Sequence, residues 1–412
     1  MAAAALAAAL ATGSGAQAQD DVGTPDRLSV LERPREDYDP LGVRLGHYIL
    51  DPSIDVLGVY DSNIYATPRG TRSDYINSVI PALSVQTDWA RHALGFKAQG
   101  EIKDYAIHSS EDVNNVTVAA NGRYDIARDV YFLGGGGYEL LHEDRGSTDV
   151  LQGRYPTQFT VASGNAGFVF APTRLGFRLD GTVDSYAFDN VPAGTGPVVN
   201  ETSRDRVVYA LTPRVSYEIT PQYNAFLRAV VNRRQYNSTR ELDGLDRSSD
   251  GYQIDLGSSL NLAELITGDA YLGYIQQQYD QEASREISGA DFGANLLWNL
   301  TQITSLRLNV ARTIEESTIP NSLGFLQTSA KLTLEHELLR NVVLSGSLTY
   351  INADFENVPG SSNFYEASFG ARYLFNHYFS AGLEYELRHR SPIEFLPSFT
   401  RQIVGLRVRA QL

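Results

Sequence analysis

The 412-residue chain contains no cysteine and a single methionine, Met1. Without cysteine it cannot form disulfides, bind metals through thiolates or use a cysteine nucleophile. After residue 18, no apolar run approaches the roughly 20 residues that a membrane-spanning helix needs. The chain also has no basic excess: its net charge is −15. Because phosphate binding needs a basic surface, this charge argues against nucleic acid as a partner.

What the chain does have is strand-like alternation from about residue 53 to the C-terminus. Near the end, apolar residues occupy every second position, namely Val404, Leu406, Val408, Ala410 and Leu412. The positions between them carry Gly405, Arg407, Arg409 and Gln411. A period of two residues indicates strands, and strands without intervening helices indicate antiparallel hairpins. The pattern therefore predicts a large all-β fold.

The alternation predicts eighteen strands, with sixteen as the alternative. Their predicted bounds are 53–66, 73–88, 92–106, 113–126, 129–142, 157–171, 174–188, 204–219, 222–237, 251–264, 268–280, 286–300, 303–315, 324–338, 341–354, 363–376, 378–390 and 399–412. Tight links alternate with longer polar loops along this series. Outer-membrane barrels show this asymmetry, with short periplasmic turns and long external loops, whereas a soluble sandwich has no reason to sort its loops. We therefore expect one transmembrane antiparallel up-and-down β-barrel.

The chain divides into three predicted parts. Residues 1–18 form an Ala-rich stretch that ends in Ala16-Gln17-Ala18, which is typical of a signal peptide with its cleavage site. Residues 19–52 are polar, carry several prolines and predict an N-terminal periplasmic segment or a plug, with a short strand or plug over 41–50. Residues 53–412 are the expected outer-membrane barrel. Aromatic residues near strand ends predict interfacial girdles: Tyr60, Tyr65, Tyr124, Tyr217, Trp298 and Tyr350.

Charged residues recur on the polar face of the predicted strands, and we expect them to line the lumen. The predicted lumen-lining residues are Arg178, Asp180, Asp184, Arg214, Glu218, Arg228, Arg234, Asp255, Asp291, Arg307, Glu335, Arg372, Glu384, Glu386, Arg388, Arg407 and Arg409. Two roles are open. The charges can line a wet channel and select solutes, or they can pair as buried networks in a closed barrel. Since 16 to 18 strands leave an aqueous passage, the strand number favours a channel.

Several segments resemble the putative β-barrel porin family of alphaproteobacterial outer membranes. They are Leu41 to Gly46, Tyr60 to Tyr65, Asp88 to Leu94, His142 to Ser147, Ser249 to Tyr252 and His336 to Asn341. The resemblance covers roughly residues 41–412. It implies a location in the Gram-negative outer membrane and, because members are often associated with exopolysaccharide secretion, a role in export. It brings no catalytic motif.

The sequence offers little support for catalysis, a cofactor or a metal. None of the seven histidines shares a metal-ligand spacing with another. His142 and Ser147 lie close in sequence, as a hydrolase pair would need, but both fall in or beside a loop. Asp243, Asp246 and Asp250 lie in one external loop without the spacing of a calcium loop. We therefore predict neither an enzyme, a cofactor nor a metal site.

The expected function is a porin-like channel, a conduit for an exported polysaccharide or another polar solute. The alternative is an occluded structural or adhesive barrel whose loops bind surface polymer or cations. The expected partners are outer-membrane lipid, lipopolysaccharide and the barrel assembly machinery. Polysaccharide and periplasmic export components are further candidate partners.

Overall fold

The structure is a computed structural model that describes residues 28–147, 153–192, 198–238, 244–262, 265–280, 285–319 and 322–412. The predicted signal peptide, residues 1–18, lies outside these ranges. Two short 3₁₀ helices, Ser109–Glu111 and Thr202–Arg204, lie in loops of the described chain. No helix in these ranges has the length and apolar character to cross a membrane.

Eighteen strands form the wall of the molecule. In chain order they are β1 Tyr48–Asp61, β2 Asp74–Thr87, β3 Ala93–Tyr105, β4 Val113–Ala127, β5 Val130–His142, β6 Gln158–Phe170, β7 Leu175–Phe188, β8 Arg206–Thr220, β9 Tyr223–Tyr236, β10 Ser249–Leu262, β11 Ile266–Tyr279, β12 Glu286–Thr301, β13 Thr304–Glu316, β14 Gly324–Leu339, β15 Val342–Phe355, β16 Ser361–Leu374, β17 Phe379–Arg390 and β18 Phe399–Gln411.

Each strand pairs antiparallel with the next one along the chain, and the last strand pairs with the first. In that closing pair, Ser53 lies opposite Gln411 and Asp61 lies opposite Ile403. The sheet therefore has no open edge, and the predicted eighteen-stranded up-and-down barrel is confirmed. The sixteen-stranded alternative is wrong.

The loop asymmetry is also confirmed. Links at one end of the barrel, such as 128–129 between β4 and β5, contain two to five residues. Links at the other end contain five to seventeen residues, and the longest is 189–205. We call these the short-turn end and the long-loop end. In outer-membrane barrels the short turns face the periplasm.

The first strand is shifted from its predicted position, 53–66, to Tyr48–Asp61. It ends early because the Asp61 carboxylate accepts a hydrogen bond from the Asn63 backbone N–H at 2.9 Å, and this local bond competes with strand pairing. It begins early because residues 48–50 form a hairpin with the short strand Val43–Leu45. Gly46, with φ +64°, lies in the turn of this hairpin.

The outer surface of the wall is apolar along its whole circumference. Leu256 is 67% exposed, Leu272 71% and Leu406 63%, each in the middle part of a strand. Side chains so placed are stable only against hydrocarbon, which matches a lipid-facing barrel. The predicted girdle residues Tyr60, Tyr124, Tyr217, Trp298 and Tyr350 are also exposed. Tyr65 was predicted wrongly: it lies in the β1–β2 loop and packs edge-on against His108.

Candidate functional site

The inner face of the wall carries the charged side chains. Each wall strand places alternate residues on it, opposite the exposed apolar set. Three pairs from the predicted set come together. Arg178 Nε lies 2.7 Å from Asp180, and Arg228 donates two hydrogen bonds to Asp255 at 2.7 and 2.9 Å. Arg388 forms an ion pair with Glu386.

Five further predicted side chains form ion pairs with residues outside the predicted set. Arg214 donates to Asp269 at 2.9 Å, and Arg234 lies 4.0 Å from Glu316. Asp55 accepts two hydrogen bonds from Arg407, and Arg409 lies 3.7 Å from the same carboxylate. Glu366 and Asp144 contact Arg388, and Glu32 contacts Arg307. The signal for Asp55 was present, because it alternates with Leu57 and Val59.

Six predicted side chains form no ion pair within the described chain: Asp184, Glu218, Asp291, Glu335, Arg372 and Glu384. Asp291 is 1% exposed, and neither of its carboxylate oxygens accepts a hydrogen bond. It lies in one lateral row with Asp255 and Gly273, on three neighbouring strands. Arg372, by contrast, is exposed to solvent. The inner face therefore carries buried charged side chains as well as solvent-exposed ones.

The long-loop end is crossed by the β5–β6 loop. Asp144 in this loop accepts hydrogen bonds from Arg401 at 3.1 and 3.2 Å and contacts Arg388 at 3.4 Å, on strands β18 and β17. Burial would raise the pKa of Asp144, but the two guanidinium groups hold this pKa below its usual range. Arg390 donates to the backbone carbonyls of Gly146 and Ser147. The loop is thus held across the opening above β1–β4.

A second contact crosses the interior at the same end. Arg206 at the start of β8 lies 2.6 Å from Glu316 at the end of β13. Five strand spacings separate these strands, or about 24 Å along the wall. Because the two side chains cannot span that distance, the two strand ends must lie closer together across the interior than they do along the wall. The long-loop end is therefore narrower than a circular barrel would be.

Apolar side chains also point inward near the long-loop end, and the sequence analysis did not predict them. One buried cluster contains Ile319, Phe325, Ala353, Phe355, Val358 and Leu396, and a second contains Tyr279, Ile287, Ile314, Leu323 and Leu326. Both clusters join strand ends to long loops. One sequence pattern could have indicated these clusters: apolar and polar residues stop alternating at Leu323-Gly324-Phe325-Leu326. These clusters fix the loops over the barrel.

The segment 28–39 occupies the short-turn end. Its Val30 N–H donates to Ser305 Oγ at 3.0 Å, and its Leu31 N–H donates to Glu335 at 2.9 Å. Arg35 forms an ion pair with Glu337 at 3.3 Å. Val30 is only 1% exposed. These contacts reach the inner face of β13 and β14, so the segment lies against the inside of the wall.

The residues considered for catalysis or metal binding have other partners. His142 is hydrogen bonded to Asn115 at 3.0 Å, and Ser147 accepts from Arg390 through its carbonyl. Asp246 accepts from the Ser248 N–H, Asp250 pairs with Arg233, and Asp243 lies outside the described residues. Within the described ranges, no group of three or more acidic or histidine side chains is placed to hold a metal ion.

A family model described as "Putative beta-barrel porin 2" matches residues 35–412. No curated protein matches the chain. The solved structures to which the chain is similar include a BenF-like porin from Pseudomonas fluorescens Pf-5 (9% identity, TM-score 0.49, covering 88% of this chain and 99% of that one), OccK2 (OpdF) from Pseudomonas aeruginosa (11%, 0.48, 88% and 98%) and the unliganded ferric citrate transporter FecA (13%, 0.43, 83% and 60%). The chain thus spans 60% of the length of FecA.

Proposed function

The chain belongs to the putative β-barrel porin 2 family, and from this premise we propose that it is a conduit for an exported polysaccharide or another polar solute. As a member of that family it is a porin-like β-barrel of the Gram-negative outer membrane. The proposal adds the kind of cargo and assigns the lumen-lining role to the seventeen predicted charged residues.

One observation carries the proposal: charged side chains on the inner face keep contact with water. In the cluster around Asp55, the Arg407 side chain is 29% exposed and the Arg409 side chain 33%. Asp269, which pairs with Arg214, is 23% exposed. Since these side chains face away from lipid, their exposure comes from a solvated interior. A dry, packed interior would instead leave charges of this kind fully buried and paired.

The mixture of signs on the inner face suits a hydrated carbohydrate chain. Of the predicted lumen-lining arginines, all but Arg372 are paired with a carboxylate of the described residues, so no long stretch of one sign traps a solute. Conduction requires binding that is weak and repeated along the path. Hydroxyl groups can exchange hydrogen bonds with such pairs one after another. This supports a polysaccharide over a strongly charged small ion as the cargo.

Planar-bilayer recording of the purified barrel tests the proposal. We expect steady currents in potassium chloride that fall when a neutral oligosaccharide enters the lumen. The matched control is heat-unfolded protein at the same concentration, which should leave the bilayer sealed. A bilayer that stays sealed with folded barrel would refute an open conduit.

A second candidate function, an occluded structural or adhesive barrel, is favoured by the contacts at the two ends. The 28–39 segment covers part of the short-turn end, and the Asp144 loop crosses the long-loop end. In this hypothesis the part of residues 19–52 that precedes β1 acts as a plug, and the external loops bind surface polymer or cations. Removing residues 19–39 leaves β1 intact and distinguishes the open conduit from the occluded barrel. A several-fold gain in current identifies a plug, and an unchanged current rules it out.

The proposed surroundings of the barrel follow from its surfaces. The apolar outer face fits outer-membrane lipid, and the polar long loops fit lipopolysaccharide. Insertion requires the barrel assembly machinery, and export of a polymer requires periplasmic components at the short-turn end. Crosslinking from Arg340, in a short turn and with an 82% exposed side chain, would capture such a component.

A further inference from the structure

A small cavity of about 50 Å³ lies on the inner face at the short-turn end. Its charged lining consists of Arg372, Arg407, Arg409 and Glu384, from strands β16, β17 and β18. Leu31 of the N-terminal segment lines it from the lumen side. Since one water needs about 10–15 Å³ of such volume, the cavity has room for a few waters or for one carboxylate group.

Glycine at position 382 creates the cavity. Arg372 on β16 lies opposite Gly382 on β17, which in turn lies opposite Arg407 on β18. A side chain at position 382 would point inward between the two arginines. A Cβ atom there would meet only the carbonyl oxygen of Ala371 at 3.6 Å and Cβ of Arg407 at 3.9 Å. The space is therefore open rather than filled by a neighbour.

The charges around this space are not balanced. Asp55 is shared by Arg407 and Arg409, and the Nε atom of Arg409 is buried without an acceptor. Arg372 has no carboxylate within 4 Å among the described residues. Arg372 shares the cavity with Arg407 and Arg409, and Glu384 is the acidic side chain among its lining residues. Positive side chains thus outnumber the carboxylates around this cavity, although the whole chain has a net charge of −15.

We propose that this cavity, named here the Arg372 site, binds the carboxylate group of an acidic sugar unit in the transported polymer. The planar guanidinium of Arg372 matches a carboxylate in geometry and donates two parallel hydrogen bonds to it. Arg409, which also lines the cavity, supplies a further donor. The inference rests on the proposed conduit function and specifies its cargo as an acidic rather than a neutral carbohydrate.

Binding is measured by calorimetry on the full-length, detergent-solubilised barrel, with D-galacturonate, glucose and inorganic phosphate as probes. We expect galacturonate to bind, and glucose to give no heat. Arg372→Gln should weaken galacturonate binding about tenfold or more, since a hydrogen bond to a charged group is lost. Arg123→Gln, which alters an arginine outside the lumen-lining set that is paired with Asp125, is the matched control and should bind as the wild type does.

Two further variants separate this site from general stabilisation of the fold. Gly382→Val keeps every charge but fills the space, and should abolish binding. Glu384→Gln removes the opposing negative charge, and should strengthen binding. A folded Arg372→Gln barrel with unchanged affinity would overturn the site, and so would absence of galacturonate binding to the wild type. Phosphate that binds more tightly than galacturonate would overturn the assignment to an acidic sugar.

Bilayer recording distinguishes failure of the site from failure of the conduit. If the wild type carries current but galacturonate neither binds nor reduces that current, the conduit stands and the Arg372 site is wrong. If galacturonate binds but the bilayer stays sealed, the site stands as an anion site and the conduit is wrong.

Discussion

Replacing Arg401 by methionine is the sharpest test of how the long-loop end is held. Arg401 lies 2.5 Å from Asp61 and also holds Asp144 of the β5–β6 loop. Asp61 is 1% exposed, so Arg401→Met leaves a buried carboxylate without its cation. Removing one partner of a buried ion pair costs about 3–5 kcal/mol. The Asn63 N–H still donates to Asp61, which places the expected loss at the lower end of that range.

The matched control is Arg233→Met. Arg233 also contacts two carboxylates, Asp250 and Asp280, but these side chains are 71% and 38% exposed. Exposed ion pairs contribute at most about 1 kcal/mol. Urea unfolding of the barrel in lipid vesicles, followed by the fluorescence of Trp89 and Trp298, measures both variants. Equal losses in the two variants would refute the argument that burial makes the Arg401 contacts strong.

The same substitution has a predicted pH dependence. The pKa of Asp144 is lowered in the folded protein. Its ion pairs therefore stabilise the fold at every pH above the ordinary pKa of aspartate, and this stabilisation is lost only as the pH falls through the lowered pKa. The wild-type loop should therefore stay in place at pH 5. Without Arg401, one of the two guanidinium groups that lower the pKa of Asp144 is gone, so this pKa rises and the loop should detach at higher pH. Trypsin cleavage after Arg145, followed from pH 8 to pH 5, measures the shift. Identical cleavage profiles for the wild type and the variant would show that Arg401 does not hold the loop.

Two further predictions concern the outer face and the N-terminal segment. Leu272→Arg places a charge in the middle of the lipid-facing wall and should destabilise the barrel by about 2–4 kcal/mol, whereas Leu339→Arg, at a short turn, should cost about 0–1 kcal/mol. Similar urea midpoints for both would contradict a lipid-covered wall. Arg35→Ala breaks the ion pair with Glu337 and should raise the current several-fold if residues 28–39 obstruct the lumen. Arg44→Ala, which removes an exposed ion pair with Asp88 outside that segment, should leave the current unchanged.

The strands were predictable because alternation is a local property. The run Val404 to Leu412 shows its two faces without any knowledge of its neighbours, and the same holds for most of the wall. The error at the first strand arose because Asp61 and Asn63 end it through side-chain bonds to the backbone, which leave the apolar pattern of Tyr60, Ile64 and Tyr65 looking continuous. Alternation locates a strand, but local capping decides where it stops.

The contacts at the two ends were not predictable in the same way. Asp144 and Arg388 are 244 positions apart, and no local pattern links them. Phe325 and Tyr279 are aromatic residues of the kind that also covers the lipid face, so residue type does not show that they point inward. Loop contacts of this kind depend on the closure of the whole barrel and on how close its strand ends lie across the interior.

The candidate binding site on the inner face is formed by residues that lie side by side on neighbouring strands, not by residues that follow one another along a single strand. Arg372, Gly382 and Arg407 are unremarkable within their own strands, and they form a site only because register places them side by side. A slip of one residue between β16 and β17 would set Gly382 opposite Tyr373 and turn the side chains of one of the two strands to the opposite face of the wall. The apolar outer face prevents that slip, because the strand that turned would place its apolar side chains in the lumen and its charged side chains in hydrocarbon. The lipid-facing pattern therefore specifies the register on which the Arg372 site depends.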